Sequence, residues 1–96
     1  MTTVLEPTQD TSHVWGGFAG KMYVFITKHE GGTWQLQLLD DDDGWIDISP
    51  SPNPFTSTGL WWFDSVPGMQ YRLEGGSQGA RAKVDTAVRD GVELII

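Results

Sequence analysis

Cysteine is absent from the 96 residues, which excludes a disulfide, a thiolate metal site and a cysteine nucleophile. Small secreted domains are commonly stapled by disulfides, so the absence points to cytoplasmic synthesis. Basic residues are few. Six Lys and Arg face thirteen Asp and Glu, a formal charge of −7, and the six are scattered. Nucleic-acid affinity comes mainly from grouped cations, so no nucleic-acid partner is expected. Long apolar runs are missing as well. No window approaches the roughly 20 residues of a membrane span, so no membrane partner is expected. The opening MTTVLEPTQDTS lacks the basic start and apolar run of a signal peptide.

Titratable nucleophile–base pairs are equally scarce. His13 and His29 are the only imidazoles, and the chain has no GxSxG-type elbow. Ser49, Ser51, Ser57, Ser65 and Ser77 all fall in loops or at strand ends. No catalytic constellation is legible, no enzyme activity is expected, and no cofactor is implied. Ligation of a metal by His13 and His29 together has no support from their spacing.

Aromatic and turn-forming residues are abundant instead. Five Trp, four Phe and two Tyr supply the large buried area that a 96-residue domain needs, and Gly 12 and Pro 5 imply short elements joined by many turns. The densest stretch is GLWWFDSVPGMQYRLE, residues 59–74. Trp61 and Phe63 alternate with Leu60, Trp62 and Asp64 at the two-residue period of a strand. Val66-Pro67-Gly68-Met69 fits a four-residue turn, with Pro67 presetting φ and Gly68 accepting a positive φ. Met69, Tyr71 and Leu73 then alternate with Gln70, Arg72 and Glu74. The two runs read as a hairpin, in which Arg72 pairs with Glu74 or Asp64.

Residues 1–14 read as a polar N-terminal arm, and 15–96 as a single domain. Once ordered, such an arm lies on its own domain, on a symmetry mate or on a larger assembly. His13–Phe18 is a short strand broken by Gly16-Gly17. Lys21–Lys28 (KMYVFITK) is a central strand with apolar residues on both faces, expected to be covered twice. A turn at His29–Gly32 joins it as a hairpin to Thr33–Leu39, in which Trp34, Leu36 and Leu38 share one face. Asp40–Gly44 is an acidic turn before a short strand at Trp45–Ile48. Pro50, Pro52 and Pro54 make residues 49–58 an extended connection. Strands at Ala80–Thr86 and Val92–Ile96 follow. The total is seven or eight short strands, and the fold class is all-β: an antiparallel β-sandwich, immunoglobulin-like or jelly-roll-like.

Two groups of residues invite a binding role. The run Asp40-Asp41-Asp42-Asp43-Gly44 does not fit an EF-hand, because Gly44 at the sixth position puts Leu39 first and Pro50 twelfth. A non-EF cation site from Asp41, Asp43 and a distant carboxylate is one reading, and a solvated turn whose charges keep it exposed is the other. Trp61 and Trp62 are adjacent and so point to opposite faces of their strand. One belongs to the core; the other faces solvent, a second layer or a neighbouring subunit. Aromatic residues are enriched at interface centres and also stack on sugar rings.

The order of features resembles small β-sandwich domains of bacteriophage virion proteins, either head decoration or cement proteins or tail and fibre modules. The resemblance rests on GGFAGKMYVFITK, GGTWQLQLLD, DGWIDI, FTSTGLWWFD, the Pro-Gly turn and GMQYRLEGG, and covers roughly residues 15–86. It implies a structural role on the capsid surface. The partners would be the major capsid protein or other virion subunits, and a homo-oligomer, a trimer among the options, is expected. The interface residues it suggests are Val4, Leu5 and Pro7 in the arm, the exposed member of Trp61/Trp62, and Leu94 and Ile96 in the tail. The alternative is a tail-associated or carbohydrate-binding module using an exposed Trp.

Overall fold

The computed structural model describes residues 1–17, 20–48 and 55–86, with the backbone of 88–89 and 92–93. The chain is all-β and forms two antiparallel four-stranded sheets packed face to face. Sheet I has the order β1(Thr2–Leu5), β8(Ala80–Thr86), β3(Gly20–His29), β6(Gly59–Ser65). Sheet II has the order β2(Trp15–Gly16), β7(Gln70–Glu74), β4(Gln35–Asp40), β5(Gly44–Asp47). Outside both, β9(Val88–Arg89) pairs with β10(Val92–Glu93).

These orders follow from one long hairpin. β4 pairs with β5 at its tip, β3 with β6, β2 with β7 and β1 with β8 at its base, and successive pairs alternate between sheets. This is the wrapping of a jelly roll. It resolves the two sandwich types open from the sequence.

The same wrapping corrects both hairpins expected around the aromatic runs. β3 and β4 lie in different sheets, and so do β6 and β7. The strands and the turn between 65 and 70 are where the periodicity puts them: Met69 N–H donates to Val66 C=O at 3.3 Å, and Gly68 has φ of 81°. The pairing differs because both runs carry a large apolar face, which is buried best by facing across the sandwich. Phe63 and Tyr71 meet there edge to face at 5.1 Å. The turn is a corner between sheets, pinned by the Val66 N–H, which donates to the Tyr71 hydroxyl at 3.0 Å. A tyrosine hydroxyl bonding the backbone just upstream fixes corners in other sandwiches as well.

Residues 1–14 lie on their own domain. Thr2–Leu5 pairs with β8 as the edge of sheet I, with a bulge between Thr3 and Leu5. Residues 11–13 bridge the sheets. Ser12 exchanges bonds with Leu73: its N–H donates to the Leu73 carbonyl, and its Oγ accepts the Leu73 N–H, each at 2.8 Å. His13 N–H donates to Val4 C=O at 2.8 Å. The boundary expected after residue 14 is therefore crossed by hydrogen bonds.

The core is the sum of the inward faces. Met22, Val24 and Ile26 of β3 and Ala80, Ala82 and Val84 of β8 lie opposite Leu36, Tyr71 and Leu73 of sheet II. Trp34 is fully buried; its backbone pairs with Phe55, and its indole N–H donates to Gly31 C=O at 3.1 Å. Double cover of β3 is only half realised. On its outer face Tyr23 is buried, Phe25 half-buried and Thr27 exposed.

Candidate functional site

Two outward faces carry aromatic residues. On sheet I, the antiparallel register sets Lys21 against Asp64, Tyr23 against Trp62 and Phe25 against Leu60. Opposite residues share a face, so these six form one patch on the outside of the sandwich. Trp62 is its most exposed apolar member at 52%, packing edge-on to Tyr23 at 6.3 Å while Lys21 Nζ sits 5.8 Å from its ring centre. Trp61 turns inward, half-buried and 5.0 Å from Phe55. The expected division of the pair is observed, with Trp61 packed on the core and Trp62 outward. Alternation at period two forces it once one of the two is buried.

On sheet II the outer face holds Gln37, Trp45, Asp47 and Arg72. The Arg72 guanidinium lies over the Trp45 ring at 4.3 Å, and its Nε donates to Gln37 Oε1 at 2.8 Å. Gln37 Nε2 in turn donates to Asp47 Oδ1 at 2.9 Å. Arg72 therefore serves β4 and β5. Pairing with Asp64, expected from the sequence, is excluded because Asp64 belongs to the other sheet; Glu74 follows two residues along the same strand. The result is an indole capped on one face by a guanidinium that is itself linked to Gln37 and, through it, to Asp47. The sequence hid it because the four residues come from three strands.

The other expected interface residues fall elsewhere. Val4 is 3% exposed and Leu5 0%, so both are core residues of this chain rather than contacts for a neighbour. Both apolar side chains reach the core because β1 is a sheet strand whose bulge between Thr3 and Leu5 breaks the regular alternation. Pro7 is half-buried, and its carbonyl accepts the Gly79 N–H at 2.9 Å. Leu94 and Ile96 lie outside the described residues.

The acidic run is a turn at the tip of the β4–β5 hairpin. Asp40 caps it, accepting the N–H groups of Asp42 at 3.2 Å and Asp43 at 2.9 Å on one carboxylate oxygen. Among the described residues no group of three or more His, Asp or Glu converges as metal ligands would. His29 bonds the Gly32 carbonyl through Nε2 at 2.7 Å, and His13 accepts from the Gln9 amide at 3.5 Å; neither bond reaches a serine.

A cavity of about 440 Å³ lies between the sheets where β1 and β2 approach, walled by Val4, Trp15, Met22 and Val84. Trp15 stacks on Tyr71 at 6.3 Å, and its indole N–H is buried without a protein acceptor. Sequence alternation could not locate this space, since it depends on how far apart the two sheets stand at one end.

The fold and these surfaces define a small jelly-roll β-sandwich with two aromatic outer faces. No protein-family model, curated protein or solved structure matches the chain.

Proposed function

We propose that this chain is a non-catalytic structural subunit of a bacteriophage virion, a head decoration or cement protein that binds neighbouring capsid subunits. The observation that carries the reading is the outward Trp62, half exposed beside Leu60 and Phe25 on an otherwise well-packed sheet. Exposed aromatics grouped on one face serve as anchors at protein interfaces, where a single Trp commonly dominates the energy. The jelly roll is an architecture of capsid proteins, which supports the reading by fold analogy only. The sequence resemblance points the same way. With Val4 and Leu5 in the core, the contact surface moves from the arm to the outer face of sheet I. The protein is then made in the host cytoplasm and incorporated at the capsid surface.

The test is a pull-down against purified heads that lack this protein. Trp62→Ala is expected to lower affinity about 30-fold, the ~2 kcal/mol typical of a central aromatic. Equal binding by wild type and variant removes the sheet I face from the contact, and no binding by either rejects the virion reading.

A second reading is favoured by the outer face of sheet II. Arg72 stacked on Trp45, with Gln37 and Asp47, offers linked donors and acceptors beside an aromatic ring, chemistry that can hold a sugar. Jelly rolls also occur among lectins. A tail or glycan-binding module would bind host polysaccharide, lose that binding on Trp45→Ala, and ignore heads.

A further inference from the structure

The four sheet edges are unequally protected. β1 is four residues long and bulged, β2 is two residues, and the His13–Val4 hydrogen bond ties that side of the sandwich together. β5 is four residues long and follows the acidic turn. β6 is different. It runs for seven residues, GLWWFDS, with no bulge in its pairing and neither Pro nor Lys. Among the described residues its backbone pairs with β3 on one side and with no strand on the other. Charges, Pro, bulges and shortness are what keep sheet edges from recruiting another strand, and β6 has one charge and none of the rest.

We propose that two copies of this chain pair antiparallel through β6, joining their sheets I into one continuous sheet. A two-fold axis perpendicular to the sheet keeps the outer face outward in both copies and brings the same edge to itself. Residues opposite each other then share a face, and the register is centred on Trp62. It sets Trp62 beside its own counterpart, Trp61 beside Phe63, and Leu60 beside Asp64. Charge does not oppose self-pairing at this edge. The chain carries a formal −7, which opposes association over most of its surface, yet the only charge on β6 is Asp64, held opposite Lys21 of β3. The edge is thus locally neutral. Pairing also joins two aromatic patches into one platform with both Trp62 rings at its centre. Self-pairing does not depend on what the dimer then binds.

The experiment is sedimentation of the full chain over a range of concentrations, alongside Leu60→Lys/Trp62→Lys. The expected result is a dimer for wild type and a monomer for the variant, with the same circular dichroism. Because the chain has no cysteine, Trp62→Cys adds a second readout. It should form an intermolecular disulfide roughly tenfold faster than Val66→Cys, a comparably exposed site outside the strand, because pairing holds the two thiols at high effective concentration. A wild-type monomer at every concentration overturns the proposal, as does a trimer. So does a dimer that survives the double Lys change, or equal crosslinking at 62 and 66. A monomer that still binds heads through Trp62 overturns the dimer alone and leaves the virion reading standing.

Discussion

Ser12 decides whether the first fourteen residues behave as part of the sandwich. Its hydroxyl donates to the His13 carbonyl at 2.9 Å and accepts the Leu73 N–H at 2.8 Å. Leu73 is fully buried and Ser12 is 7% exposed, so no water stands ready to replace the oxygen. Ser12→Ala removes that acceptor and leaves a strand N–H unsatisfied in the core, which costs about 1–3 kcal/mol. For a domain of this size each kcal/mol lowers Tm by roughly 4–8 °C, so a fall of about 8–16 °C is expected at the midpoint of the range. Urea unfolding followed by Trp fluorescence should show a lower midpoint at unchanged slope, because the same surface is exposed on unfolding. Ser57→Ala, at an exposed loop position, is the control and should stay within about 0.5 kcal/mol. The Leu73 amide should also lose its protection from hydrogen exchange in Ser12→Ala. A loss of stability below about 0.5 kcal/mol would refute the reasoning, because it would mean that the contact between residues 11–13 and β7 is wet and the arm is loosely held.

Other outcomes follow from the same geometry. Trp61→Ala should destabilise by about 2–4 kcal/mol, since a half-buried indole packed on Phe55 is lost, whereas Trp62→Ala should cost under about 1 kcal/mol; paired thermal melts separate the two. Tyr71→Phe keeps the ring contacts with Phe63 and Trp15 but removes the acceptor for the Val66 N–H, a loss of about 0.5–1.5 kcal/mol that denaturant titration would resolve. Gly17→Ala should be far worse than an ordinary loop change. A Cβ there would run into the Val66 carbonyl and come within 2.8 Å of Ser65 Oγ and 2.9 Å of Tyr71 Cε2. A loss of about 1–3 kcal/mol or more is expected by calorimetry, and a wild-type Tm would show that the corner can move aside.

Local pattern determined much about this protein. Alternation of apolar and polar side chains placed the strands at β3, β4, β6, β7 and β8. Pro67-Gly68 marked the corner, the Asp run marked an exposed turn, and the adjacent Trp61 and Trp62 had to face opposite ways. All of these depend on neighbours in the chain, where backbone geometry leaves little choice. Which strand lies beside which was not legible. A run such as LWWFD carries the same period whether it pairs with the next strand or faces it across a core, and the choice rests on the combined burial of both sheets. The burial of Val4 and Leu5 was hidden for the same reason, since a short segment after the N-terminus gains a sheet only when β8 arrives nearly eighty residues later. The Trp45–Arg72 contact and the outer edge of β6 likewise exist only in the folded chain. Each is set by long-range pairing, which turns one residue's outer side into a shared surface and leaves β6, among the described residues, paired on one side only.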